Sequence, residues 1–167
     1  PAMRHAAAPR REIGIRTVFN ILGPLTNPAG ADSQVLGIAD GSLGLKMAEV
    51  LRLLGSKHAI VVHGENGMDE LSISGASNVW ELNRDEINEY KVHPTDFGIS
   101  LASSDSIKSN SKDNNLLVME QVLKGLPGPA RDIVILNAAA ALVAGDLAET
   151  MNNGIELARH SIESGAA

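Results

Sequence analysis

The pattern over residues 34–62 constrains the fold most. A short apolar run at residues 34–39 reads as a buried strand. Asp40 or Ser42 can cap the helix that follows, in which Leu43, Met47, Val50, Leu51 and Leu54 hold a single face. Gly55 then stops that helix. Ala59-Ile60-Val61-Val62 is continuously apolar, the mark of a strand covered on both faces. Strand, helix and strand in this order predict one βαβ unit with a right-handed crossover. The chain is therefore expected to be α/β, with a mixed, mostly parallel central sheet flanked by helices.

Shorter strands are predicted near residues 70–74, 78–83 and 87–93, the last two joined in a tight hairpin at Asn83-Arg84-Asp85-Glu86, so this portion is expected to be mixed or antiparallel. Residues 94–110 read as loop, with a Ser-rich patch at 100–111. Three helices are then expected, over residues 112–124, 129–144 and 147–164. The stretch from Asn137 to Leu142 is almost wholly apolar, so the second of these should be the most buried, and Asn137 within it needs a hydrogen-bond partner. Upstream, helices are expected over residues 3–12, with Pro9 kinking or delaying the first, and over 16–22.

Composition bounds the function. The 167 residues suit one domain with a sizeable core, but aromatics are only 2% of the chain, so Leu, Ile, Val, Ala and Met must build that core. There is no cysteine, hence no disulfide framework and no thiolate metal site, in keeping with a reducing cytoplasm. No apolar run approaches the ~18 residues of a membrane span. The start, Pro1-Ala2-Met3-Arg4, has no signal-peptide core and opens in mid-pattern, so a piece of a longer protein is expected.

The first thirty residues carry two features. Ile15, Val18, Phe19 and Leu22 have helical spacing, and the run stops at Gly23-Pro24 and turns again at Asn27-Pro28. The result is an ordinary helix stop, or a rigid elbow of small groups on which a flat ligand can slide. Residues 1–17 also hold Arg4, Arg10, Arg11 and Arg16 against one Glu, although the whole chain is −6. A basic patch on an acidic protein points to a small anion rather than a polyanion, with a solvated helix face as the alternative.

Asp69 and Glu70 follow the loop His63-Gly64-Glu65-Asn66-Gly67, at the carboxyl end of a predicted parallel strand. Ligands of open α/β sheets bind at that edge. The pair reads as a solvated turn or as a hard-cation site. Magnesium is often held by one or two carboxylates together with substrate phosphate.

Pro1-Ala2-Met3-Arg4-His5, the run from Arg10 to Thr17, and Phe19-Asn20-Ile21-Leu22-Gly23-Pro24-Leu25-Thr26-Asn27-Pro28 together resemble anthranilate phosphoribosyltransferase. So does the run from His63 to Leu71, and the likeness extends along nearly all of the chain. The resemblance implies a transferase that moves the 5-phosphoribosyl group from phosphoribosyl pyrophosphate to the amine of anthranilate, in tryptophan biosynthesis. It implies that Asp69 and Glu70 bind Mg2+, that Arg10 meets the anthranilate carboxylate, and that Gly23 and Pro24 line its ring. It further implies that residues 1–167 are part of the large domain of a two-domain enzyme, truncated at both ends. A helical domain and a glycine-rich phosphate loop would precede residue 1, and a cytoplasmic homodimer would form through that domain. No general base is evident.

Two rivals remain. A pyrimidine nucleoside phosphorylase-like enzyme carries a similar Leu22–Pro28 segment, but Asp69-Glu70 and Arg10 favour the transferase. A non-catalytic relative that binds nucleic acid is disfavoured by the few aromatics and the acidic balance. Neither nucleic acid nor membrane is expected as a partner. Among the histidines, His63 could support the glycine loop or simply pack, and His5 could lie near the basic patch. His58, His93 and His160 read as surface or turn residues. No pair has zinc-ligand spacing, and there is no Walker loop, serine elbow or dinucleotide fingerprint.

Overall fold

The structure, a computed structural model, describes Gly23, Leu25, Thr26, residues 30–108 and residues 111–167. The chain divides into two compact units, Pro1–Gly30 and Ala31–Ala167. In the first, the Gly23 carbonyl accepts from the Thr26 N–H at 3.3 Å and from its hydroxyl at 3.3 Å, which closes a turn at the predicted elbow. The expected helices over 3–12 and 16–22 lie outside the described residues.

The second unit is built around the strand predicted from Ala59-Ile60-Val61-Val62. This strand, β2 (His58–Gly64), is buried along nearly its whole length. Its neighbours are β1 (Ser33–Gly37) on one side and β3 (Ser77–Asn83), then β4 (Glu86–Val92), on the other. β1 and β2 run parallel, with Val35 opposite Ile60. The helix α1 (Gly44–Leu53) lies between them in the chain, which completes the expected βαβ unit. Gly55 ends that crossover in the left-handed region, at φ 88°, with its N–H bonded to the Arg52 carbonyl.

The α/β class and the mixed sheet agree with expectation, but the predominance of parallel pairing does not. Among the described residues only β1–β2 is parallel, whereas β2–β3 and β3–β4 are antiparallel. The reason is topological. After β2 the chain has no crossover helix: it returns through a loop and then a tight hairpin, and such links join antiparallel strands. Arg84 takes φ 58° in the hairpin turn.

Alternate residues of β2 and β3 feed two layers. Ile60, Val62 and Val79 face the larger core, where α3 (Pro129–Ala144) contributes Ile133, Leu136 and Ala140 and α4 (Met151–Glu163) contributes Ile155 and Ala158. On the other face α1 packs Met47, Ala48 and Leu51 toward the buried Val61 and Trp80. Gly44 of α1 lies so close to the Trp80 indole that a Cβ would overlap the ring. The remaining helix, α2 (Lys112–Leu123), presents most of its surface to solvent. As expected, α3 is the most buried helix among the described residues.

Two local expectations fail. Residues 70–74 do not form a strand. Leu71, Ser72 and Ile73 are all buried, the Leu71 backbone bonds to the Asn137 side chain, and the Ser72 N–H bonds to the Ser77 hydroxyl. Nor is His58 a surface residue, because only 4% of it is exposed. Its Nδ1 lies 3.0 Å from Asp146 Oδ1 and its Nε2 2.9 Å from Glu81 Oε1. Buried polar groups need such partners.

Candidate functional site

β1 and β2 end side by side, and their carboxyl ends make the edge at which open α/β sheets bind ligands. β2 runs into a tight loop there. The Gly67 N–H donates to the Gly64 carbonyl at 2.8 Å, and the Gly64 N–H donates to the Met68 carbonyl at 2.9 Å. Gly67 stands at φ 86°, a region that disfavours residues with a Cβ. The start of the loop is tied down by Glu65, whose N–H reaches the Ala76 carbonyl at 3.0 Å and whose carboxylate pairs with Lys91 at 2.5 Å.

This loop delivers Asp69 and Glu70. Asp69 is exposed and Glu70 half-buried. Burial first, and the negative charge of Asp69 second, raise the Glu70 pKa above the ordinary carboxylate value. Among the described residues no cation or hydrogen-bond donor is paired with either acid. A divalent cation would offset both causes of the Glu70 shift. Among the described residues there is no cluster of three or more His, Cys, Asp or Glu that could hold a metal. Two carboxylates without a closed cage suit magnesium, which keeps waters and takes further oxygens from phosphates.

The backbone on both sides of Glu70 is held. Before it, the Asp69 carbonyl abuts Gly37 at the end of β1, where a Cβ would overlap that oxygen. After it, Leu71 is 1% exposed. Its N–H donates to Asn137 Oδ1 at 2.9 Å, and its carbonyl accepts from Asn137 Nδ2 at 2.9 Å. His63, half-buried, donates from Nδ1 to the Ile38 carbonyl at 2.8 Å and packs on Gly41. It braces the turn after β1.

Of the residues predicted for the site, Asp69 and Glu70 stand together on this edge. Gly23 lies in the other unit, exposed, with nothing within 4 Å of where a Cβ would be. Arg10 and Pro24 lie outside the described residues. Gly37 escaped notice because its role depends on a loop about thirty residues downstream. Asn137 left a signal, a carboxamide in an apolar helix, but its partner was not readable. An apolar groove of about 660 Å³ runs between α2, α3 and α4, past Val122, Leu142 and Ile162. No acidic or basic side chain lines it, so it is not a place for acid–base or metal chemistry.

The model of the glycosyl transferase family, a/b domain, matches residues 1–167. The chain belongs to that family. It is 51% identical over 166 residues to the anthranilate phosphoribosyltransferase of Nitrosomonas europaea, covering 99% of this chain and 49% of the relative. It superposes on the anthranilate phosphoribosyltransferase of Thermus thermophilus with a TM-score of 0.90 at 42% identity, covering 99% of this chain and 49% of that one. The Saccharomyces cerevisiae enzyme in complex with PRPP and Mg gives a TM-score of 0.85 at 30% identity, over 98% of this chain and 47% of that one. The chain spans about half the length of these relatives. No helix among the described residues is long and apolar enough to cross a membrane.

Proposed function

We propose that this chain is the α/β portion of an anthranilate phosphoribosyltransferase, acting in tryptophan biosynthesis. The whole protein would break the bond between the ribose anomeric carbon and pyrophosphate and join that carbon to the amine of anthranilate, which gives up a proton. The carrying observation is the unpaired Asp69-Glu70 couple on the carboxyl edge of a parallel strand pair, in a chain half identical to enzymes of that name.

Asp69 and Glu70 would supply hard oxygens to Mg2+ that accompanies the diphosphate. Bound magnesium would neutralise the charge that grows on departing pyrophosphate. Arg10 would clasp the anthranilate carboxylate, for which a guanidinium offers a planar fork of donors. Gly23 and Pro24 would give the aromatic ring a flat, unobstructed surface. Aligning a weak amine nucleophile with the ribose is the other large contribution expected of such a site. No general base is assigned. A helical domain with a phosphate loop would complete the site and carry a homodimer contact, in the cytoplasm, so residues 1–167 alone would be inactive.

The test is a pair of assays on a full-length protein carrying this chain. Phosphoribosyl pyrophosphate, Mg2+ and anthranilate should give N-linked product and pyrophosphate. Phosphorolysis of pyrimidine nucleosides without such transfer would overturn the reading in favour of a phosphorylase.

A further inference from the structure

We propose that Asn137 is a positioning residue for the Asp69-Glu70 pair, setting the direction in which Glu70 presents its carboxylate. The inference rests on the proposed metal-binding role of that pair and deepens it.

A side chain's direction follows from its backbone, and the backbone at one residue is set by the two peptide planes beside it. For Glu70 these planes are Asp69–Glu70 and Glu70–Leu71. The first contains the Asp69 carbonyl, which lies against Gly37. The second contains the Leu71 N–H, which donates to Asn137 Oδ1. Asn137 also holds the far side of Leu71 through its carbonyl. Glu70 is thus suspended between a strand end and a buried helix.

The carboxamide itself is fixed. Nδ2 donates a second hydrogen bond, at 3.0 Å, to the Ile133 carbonyl one turn earlier in α3. Both amide hydrogens and the oxygen are therefore used, and the partners define which atom is nitrogen. Aspartate would face two carbonyls without a donor. Leucine would offer neither donor nor acceptor. Glutamine would overreach by a methylene. The helix that carries Asn137 is the most buried among the described residues, a rigid support for a site on a loop. Residues one step removed from a metal ligand typically tune affinity by 10–100-fold.

The test uses a full-length protein carrying this chain, with Mn2+ as the probe in the presence of pyrophosphate. Free ion is counted by its six-line paramagnetic resonance signal, and amide exchange is followed by NMR. Asp69→Asn with Glu70→Gln should abolish binding while Leu71 stays protected. Asn137→Ala should weaken Mn2+ binding by about 10-fold or more and speed exchange at Leu71, with Val61 and Val79 still protected. Should Asn137→Ala fail to fold, Asn137→Ser, which leaves less of a void, is read by the same criteria. A parent protein that binds no Mn2+ under these conditions sinks the metal reading, and so does unchanged Mn2+ binding in the double acid variant. Lost binding there, with unchanged affinity in the Asn137 variant despite faster Leu71 exchange, sinks the positioning role alone. So does weakened affinity with Leu71 exchange unaltered.

Discussion

Gly37 and Asp69 meet backbone to backbone, and the space between them cannot hold a β-carbon. One strand end thereby determines how closely the acid-bearing loop of the next strand can approach. Gly37→Ala should force the loop outward. Overpacking of this kind costs about 1–3 kcal/mol, which corresponds to a melting point roughly 3–9 °C lower. Gly75→Ala is the control, since nothing lies within 4 Å of its Cβ position. It should change stability by no more than about 0.5 kcal/mol. Thermal melts of the two variants decide the matter, and equal melting points would contradict the contact.

His58 should matter more through Glu81 than through Asp146. The Glu81 side chain is 20% exposed and that of Asp146 80% exposed. Exposed pairs contribute about 0–1 kcal/mol, whereas a buried group stripped of its partner costs roughly 1–3 kcal/mol. Double-mutant cycles in urea should give a larger coupling for His58 with Glu81 than for His58 with Asp146. The reverse order would show that the network is anchored at the surface.

Tyr90 is the one tyrosine of the chain, so its ionisation can be read without interference. Burial first, and then its hydrogen bond to Glu81 Oε2 at 2.7 Å with the charge of that group, push the phenol pKa well up. A pKa higher in the folded than in the unfolded chain stabilises the fold below the unfolded value, near 10. That contribution is lost as pH rises above it. Absorbance at 295 nm should stay flat through pH 10–11 in the folded chain and rise near pH 10 in denaturant. Glu81→Gln should move the folded titration downward. A folded titration at the ordinary value would refute the buried pairing.

Arg10→Ala in a full-length protein should raise the KM for anthranilate about tenfold or more, consistent with the loss of a charge-assisted hydrogen bond. The KM for phosphoribosyl pyrophosphate should move little. Equal rises for both substrates would remove Arg10 from the anthranilate site.

What could be read in advance follows from how local each signal was. Ala59-Ile60-Val61-Val62 declared a doubly covered strand, and the apolar run around Asn137 declared a buried helix, because burial leaves its period in the residues themselves. The turn at Arg84 was legible for the same reason. Strand direction was legible only in part. The tight turn at Arg84 announced an antiparallel hairpin, as observed, but nothing local showed that the sheet as a whole would hold a single parallel pair among the described residues. Residues 70–74 showed the alternation of a strand, but their hydrogen bonds go to side chains outside any strand ladder. His58 is buried because Glu81 and Asp146 arrive from 23 and 88 residues away. The two acids could be placed on the ligand-binding edge from the strand before them, but a solvated turn there looks the same, and only the family likeness decided between that turn and a cation site.

The most direct test is the Mg2+ dependence of phosphoribosyl transfer, followed by the loss of anthranilate fluorescence in a full-length protein. Asp69→Asn with Glu70→Gln should lower kcat/KM for phosphoribosyl pyrophosphate by about 10²-fold or more while leaving the melting point nearly unchanged. A double variant with the parent's rate and the parent's Mg2+ requirement would contradict the assignment of these acids to the cation.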